Sequence, residues 1–306
     1  MIWALFFGII ADALIGEPKW IWSRFPHPIV LIGKIISLAD REFNNGKYKK
    51  AKGIKFLLAL IFLGGFLGHL LAELGGFFQF ICVAILISQK SLVDHVEEVA
   101  KSMKQSIHRG RHAVAQIVGR DTIEMDHSQV ARAAIESAAE NFCDAVIAPI
   151  FWFLAAGLPG LLVYKCVNTS DSMIGYKCPN YREFGWATAR FDDLLNWVPA
   201  RLSSFVIALT GSVLQQHQSI IKDAKLHRSP NAGWPEASMA YALGVALSGP
   251  RSYEGQMLEF AWVNKEGNRA PGSHDIERAV RILWSSWSIT LLALGILGIL
   301  RRIFFL

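Results

Sequence analysis

Between Arg132 and Arg201 an apolar run, Ala145 to Val163, is enclosed by two segments crowded with ionisable side chains. A bilayer asks a crossing helix for about 20 apolar residues. This run is interrupted by Pro149 and by Pro159-Gly160. Within a membrane, backbone that leaves the helix is tolerated only where it is buried in protein or lines a cavity. The run therefore predicts either a broken or re-entrant helix pair, or a site sunk below the membrane surface where both flanks reach it, as discontinuous helices arrange.

The flanks carry the polar groups of such a site. On a helix Glu136, Glu140 and Asp144 fall at i, i+4 and i+8 and share one face. Like charges at that spacing repel, so the face wants a cation. After the run, Asn168, Asp171, Asp192, Asp193 and Asn196 add carboxylates and amides, which as oxygen donors suit magnesium. Lys165, Lys177, Arg182, Arg190 and Arg201 supply cations for phosphate oxygens, and Tyr176, Trp186, Phe191 and Trp197 supply flat rings. Together they suggest handling of a nucleotide or phosphate ester near a membrane. Each group also has a structural alternative. Asp192-Asp193 suits a helix N-terminus, the arginines can snorkel to headgroups, and the tryptophans can form an interfacial belt. No P-loop, GxGxxG or HExxH occurs, so any nucleotide site is of another kind.

Of the 306 residues, 52% are hydrophobic and only 18% charged, and the apolar ones cluster in runs. That combination predicts an all-α, polytopic integral membrane protein with about four to six transmembrane helices, some broken or re-entrant, and helical cytoplasmic segments. The net charge of +6 fits cytoplasmic loops beside anionic lipid and equally fits phosphorylated substrates. The bases are scattered without a nucleic-acid motif, so a nucleic-acid partner is not expected. Cys82, Cys143, Cys166 and Cys178 show no CxxC spacing and read as free thiols.

In chain order, Ile2 to Ile15 is a short retained membrane helix carrying Asp12, ended by Gly16-Glu17-Pro18. Pro26-His27-Pro28 reads as a turn, and the basic segment Lys34 to Lys55 places that side in the cytoplasm. Phe56 to Leu74 and Gly76 to Ser88 read as two spans joined by a tight turn. Lys90 to Arg132 reads as amphipathic soluble helix, with Asp121-Thr122 a possible cap for a following helix. Leu202 to Leu214 is too short for an untilted span, Ser229 to Glu236 reads as a loop, and Ile282 to Leu300 is the last span. The expected organisation is a single membrane domain over 1–306, with soluble helices around 90–144 and a polar loop segment at 215–281.

Several strings resemble the cobalamin biosynthesis CobD/CbiB family: GEP and HP near the N-terminus, VGRD at Val118 to Asp121, IESAAENFCDAVIAP at Ile135 to Pro149 and YKCVNTSDSMIGYK at Tyr164 to Lys177. The ATARFDD to VPARL run and SPNAGWPEASMAYALGVALSGPRSYEG continue the likeness, in order, over nearly the whole chain. The resemblance implies a multi-pass protein of the cell's inner membrane with its site facing the cytoplasm. It implies an adenosylcobinamide-phosphate synthase, a ligase that joins a propionate of the corrinoid adenosylcobyric acid to aminopropanol phosphate with ATP and magnesium. The roles it implies are catalytic for Glu136, Glu140, Asp171 and Asp192, and metal-binding for Glu140, Asp144, Asp171 and Asp193. Substrate and phosphate binding would fall to Lys165, Asn168, Lys177, Arg182, Arg190, Arg201, Asn231 and Glu236. Ser170 stands where the family usually has leucine and Ser248 where it has glycine; neither removes a charged group. The competing readings are a non-enzymatic sensor or scaffold of the AmpE type and a transporter of a corrinoid or phosphorylated solute. Oligomeric state is left open.

Overall fold

The computed structural model describes residues 1–176, 178–253 and 255–305. In chain order the helices begin with α1 (Ile2–Ile15), α2 (Lys19–Trp22), α3 (Pro28–Phe43), α4 (Lys49–Glu73) and α5 (Gly76–Leu86). Next come α6 (Gln89–Gln105), α7 (Ile107–Val114) and α8 (His127–Phe142), then a π-helical turn at Cys143–Ile147 and α9 (Ala148–Ile174). The chain continues through α10 (Trp186–Leu195), α11 (Trp197–Thr210), α12 (His217–Ala224) and α13 (Gly233–Leu243). Four short strands, β1 (Leu247–Ser248), β2 (Arg251–Tyr253), β3 (Gln256–Leu258) and β4 (Trp262–Val263), precede α14 (Ser273–Phe305). β1 pairs with β4 and β2 with β3, both antiparallel.

Among the described residues four helical stretches are long and apolar enough to cross a bilayer: Lys49–Glu73, Gly76–Gln105, His127–Ile174 and Ser273–Phe304. Ile2–Ile15 and Trp197–Thr210 are shorter apolar helices. The protein is a multi-pass, all-α membrane protein. Leu58, Phe62, Phe66 and Leu70 of α4, and Leu292, Ile296 and Ile303 of α14, point outward and exposed. Such apolar stripes are costly in water and neutral in lipid.

Contacts divide the chain into two units. The first comprises Met1–Ser88, Asp144–Asn196 and Gly298–Leu306; the second comprises Gln89–Cys143 and Trp197–Leu297.

In the first unit α4 and α9 pack closely because α4 is small on the facing side. A side chain at Gly68 would run into the backbone of Leu158 and Pro159, and one at Gly53 into the carbonyl of Phe184. At Gly64 it would lie 3.3 Å from the Val163 backbone. Small residues one helical turn apart let two backbones approach in lipid, where dispersion rather than water expulsion holds helices together. Gly68→Leu should therefore lower the thermal unfolding midpoint in detergent by several degrees, the equivalent of about 1–3 kcal/mol of overpacking. An unchanged midpoint would show that the α4 to α9 contact yields freely.

The long run after the acids is broken, as its prolines and glycines require. Ala156 (φ −139°) and Gly157 (φ +65°) leave the helix. Gly157 takes the left-handed conformation that favours glycine, and Pro159 falls just after the break, where a restarting helix has no use for its amide hydrogen.

In the second unit α8 lies against α6 and α13 through alanines, with Ala131, Ala133, Ala134, Ala138 and Ala139 all buried. Its start is set by Asp126, not by Asp121-Thr122. Asp126 Oδ1 accepts from the Gln129 amide at 2.7 Å, and the Asp126 amide donates to Gln129 Oε1 at 2.8 Å. Residues 115–126 are accordingly not helix but a turn-rich connection. Ser229 to Glu236, read as a loop, instead opens a helix. Gly233 to Glu236 form the first turn of α13, where Pro235 is tolerated because its missing amide hydrogen has no helical partner anyway. The segment 215–281 thus holds α12, α13, the four strands and the start of α14. Pro28 likewise starts α3, capped by His27 Nδ1, which accepts from the Ile29 amide at 3.2 Å. None of the four cysteines is in a disulfide among the described residues, and Cys143 and Cys166 are buried.

Candidate functional site

In the first unit the polar groups gather where the π-helical turn, α9 and the end of α10 meet. Asn168 Nδ2 donates to Asp144 Oδ2 at 3.3 Å and to Asp192 Oδ1 at 3.4 Å, so one amide bridges two carboxylates. Asn196 Nδ2 donates to Asp192 Oδ2 at 3.0 Å. The buried Tyr164 hydroxyl donates to Asn196 Oδ1 at 3.0 Å and approaches the Asp144 carbonyl at 3.1 Å, while Trp152 Nε1 donates to the Leu195 carbonyl. Asp144 reaches this group because it sits in the π-helical turn, a one-turn widening that breaks the regular helical register of the acids before it.

Burial, and then the nearby charges of Asp144 and Asp171, push the Asp192 carboxyl well above the usual carboxylate range. Three carboxylates with two amides, one of the acids buried, form a donor set of hard oxygens whose mutual repulsion a cation relieves. Among the described residues no three His, Cys, Asp or Glu side chains converge as a ready-made metal cage. Hard oxygen donors of this kind are the type magnesium takes, one or two carboxylates completed by water. Lys165 is buried on the same helix, within electrostatic reach of Asp144 and Glu17. Asp171 lies so close over Gly175 that a side chain there would strike its carboxylate.

The second unit buries a different cluster. Glu136 on α8 is 4% exposed. Its Oε2 accepts from Arg120 Nη2 at 2.7 Å, and its Oε1 accepts from the Ser248 amide at 2.6 Å and lies 3.2 Å from Arg251 Nη2. Glu236 on α13 sits 4.0 Å from Arg251 and 3.5 Å from His227 Nε2. Burial, followed by the Glu136 and Glu140 charges, pushes the Glu236 carboxyl well above its usual range. Burial, followed by the Arg251 charge, holds the His227 imidazole down at about 4. At neutral pH the His227 imidazole is therefore uncharged, and its contact with Glu236 is not an ion pair. Arg201 Nη1 donates to Asn231 Oδ1 at 3.2 Å, and its guanidinium lies 4.5 Å from the ring centres of both Trp197 and Trp234.

Compared with known proteins, residues 5–283 match the family described as CobD/Cbib protein. The chain belongs to the CobD/Cbib family. Its relatives include "Cobalamin biosynthesis protein CobD" of Rhizobium meliloti (strain 1021), 44% identical over 305 residues that cover 93% of each chain. The protein of that name from Brucella suis biovar 1 is 42% identical over 301 residues, 92% of each chain. That of Halalkalibacterium halodurans is 38% identical over 297 residues, 92% of this chain and 91% of the relative. No solved structure matches the chain.

The CobD/Cbib strings thus supply two clusters. Asp144, Asn168, Asp171 and Asp192 come together in the first unit, and Glu136 and Glu236 in the second. Of the face expected from Glu136, Glu140 and Asp144, the first two stay together on α8, where both charges act on Glu236, while Asp144 joins Asn168 from the π-helical turn. Glu136 is taken up by Arg120 and Arg251, Asp144 by Asn168, and Glu140 is exposed. Asp193 and Arg190, expected on metal and phosphate, pair with each other at 3.0 Å on α10. Arg182 is exposed between α9 and α10, and Lys177 lies outside the described residues.

Arg120, Arg251, His227 and Tyr164 were missed by reasoning from the sequence. Arg120 and Arg251 lie inside VGRD and GPRSYEG, two of the CobD/CbiB-like strings, and that membership was the available signal.

Proposed function

We propose that this protein acts in cobalamin biosynthesis as an adenosylcobinamide-phosphate synthase. It would join a propionate carboxylate of adenosylcobyric acid to the amine of aminopropanol phosphate at the expense of ATP, at the cytoplasmic face of the cell's inner membrane. The biosynthetic name shared by the relatives supports this reading over the sensor and the transporter. The observation that carries the chemistry is the group of Asp144, Asp171 and Asp192 with Asn168 and Asn196.

A carboxylate is a poor acyl donor until its oxygen is made a leaving group. Attack of the propionate oxygen on the γ-phosphorus of ATP gives an acyl phosphate and ADP. The amine then attacks the acyl carbon, and phosphate departs as the amine nitrogen gives up a proton. Magnesium held by Asp144 and Asp192 would supply charge neutralisation for the phosphates. Asn168 and Asn196 fix the two carboxylates, and Tyr164 fixes Asn196. Lys165, the buried cation of this group, suits a phosphate oxygen.

The direct test incubates detergent-solubilised protein with adenosylcobyric acid, ATP, magnesium and either aminopropanol phosphate or ethanolamine phosphate. Mass spectrometry should show the amide product, dependent on ATP and magnesium. No amide from either amine would sink the synthase reading.

A further inference from the structure

In the second unit one cluster holds more arginines than acids, and the side chains of three of them, Arg120, Arg132 and Arg251, are largely buried. Around Glu136, Glu140 and Glu236 stand Arg120, Arg132, Arg228 and Arg251. The four guanidiniums of this group outnumber its three carboxyl groups.

Arg251 is the outstanding member. Its side chain is 9% exposed, and its Nε and Nη2 are buried without a hydrogen-bond partner, although Nη2 lies 3.2 Å from Glu136 Oε1. A buried donor without a partner costs about 1–3 kcal/mol, so in a native protein it calls for an explanation. Beside it is a cavity of about 10 Å³ lined by His227, Arg228, Ser248, Arg251 and Phe260.

The cavity lies beside the β2 to β3 hairpin, which Arg251 begins and Phe260 follows. Phe260 lies between two guanidiniums, 5.7 Å from Arg228 and 5.4 Å from Arg251. Arg228 Nη2 donates to the Tyr253 hydroxyl at 3.1 Å. Asp121 Oδ2 accepts from Ser252 Oγ at 2.7 Å and from the Gly255 amide at 2.8 Å, tying the hairpin to the segment before α8. On the other wall His227 Nδ1 accepts from the Ser229 amide at 3.0 Å. The ring's single proton is then on Nε2, another donor.

We propose that Arg228 and Arg251 form a seat for a phosphoryl group at the cavity they line with His227 and Ser248. Arginine forks match phosphate oxygens in pairs; Arg251 Nε is a buried fork donor without a hydrogen bond, and Nη2 beside it faces Glu136 Oε1 at 3.2 Å. The present cavity admits about one water molecule, so the side chains lining it must part for a phosphoryl group. Arg228 then exchanges the Tyr253 hydroxyl for a phosphoryl oxygen. The inference deepens the synthase reading, since that reaction brings two phosphoryl-bearing substrates, a nucleoside triphosphate and an amino-alcohol phosphate.

The test is calorimetric binding to the full chain in detergent, without turnover. The probes are inorganic phosphate, O-phosphoethanolamine, ethanolamine as the phosphate-free control, and a non-hydrolysable ATP analogue with magnesium. Wild type should bind phosphate-bearing probes and not ethanolamine. Arg228→Ala, at an exposed side chain, should weaken phosphate binding about tenfold with an unchanged thermal midpoint, and Arg251→Lys, which keeps the charge and loses the fork, should weaken it similarly. A loss confined to O-phosphoethanolamine assigns the seat to the amine substrate, and a loss confined to the analogue assigns it to the nucleotide. Wild-type affinities in both variants for every probe would overturn the proposal. Arg228-dependent phosphate binding in a protein that makes no amide would leave the seat standing and remove the synthase reading instead.

Discussion

Replacing Asp192 with asparagine should lower synthase turnover by about 10²- to 10³-fold, the usual cost of removing one preorganised electrostatic group, while raising the thermal midpoint of the protein. The two signs follow from the same geometry. Asp192 is buried against Asn168 and Asn196, with the Asp144 and Asp171 carboxylates nearby. Asparagine has the same shape, and it ends the repulsion without opening a cavity. A residue that served only the fold would then be improved by the change, and activity would survive. A residue that helps hold magnesium against phosphate would lose activity and show a raised magnesium requirement, because the remaining carboxylates must hold the ion alone. Stability bought at the cost of function is the common pattern at strained sites. Turnover near wild type, at any magnesium concentration, would take Asp192 out of the chemistry.

Much of this fold can be read in the residues because the membrane leaves few options. Ile2–Ile15 coincides with the run expected there, and Gly75, at φ +99°, makes the turn between α4 and α5 where two glycines interrupt the apolar residues. The break at Ala156-Gly157 lies within the interrupted run. What escaped was set by partners distant in sequence. A regular helix puts Glu136, Glu140 and Asp144 on one face, and only the π-helical turn and the position of Asn168 reveal that Asp144 serves a different cluster from the other two. Proline and glycine density in SPNAGWPE signals a helix start as readily as a loop, since both residues suit a first turn.

The two departures from the family's strings acquire physical meaning. Ser248 has φ +64°, the left-handed conformation that glycine adopts freely, and the serine accepts that strain while its amide still donates to Glu136. Ser170 buries its hydroxyl without a hydrogen-bond partner, in surroundings that a leucine side chain would suit better.

Glu136→Ala should destabilise the protein by about 3–5 kcal/mol, the cost of breaking a buried ion pair from one side. Glu136 is almost wholly buried, and its partners Arg120 and Arg251 are only 8% and 9% exposed at their side chains. Alanine leaves both guanidiniums buried beside a void and also strips the Ser248 amide of its acceptor. Glu136→Gln keeps the volume and one acceptor oxygen, so its fold should persist with a smaller loss. The comparison separates anchoring from catalysis, because a purely structural Glu136 predicts that the glutamine variant keeps turnover in proportion to its folded fraction. A well-folded glutamine variant without turnover would give Glu136 a part in the reaction. The third arm is Glu136→Met combined with Arg120→Met. An apolar pair of similar volume escapes the desolvation penalty that each charge suffers, so the double variant should recover much of what alanine loses. Thermal unfolding followed by tryptophan emission in detergent reads all three. A midpoint for Glu136→Ala equal to that of the wild type would mean that water reaches the two arginines and that the cluster is no anchor.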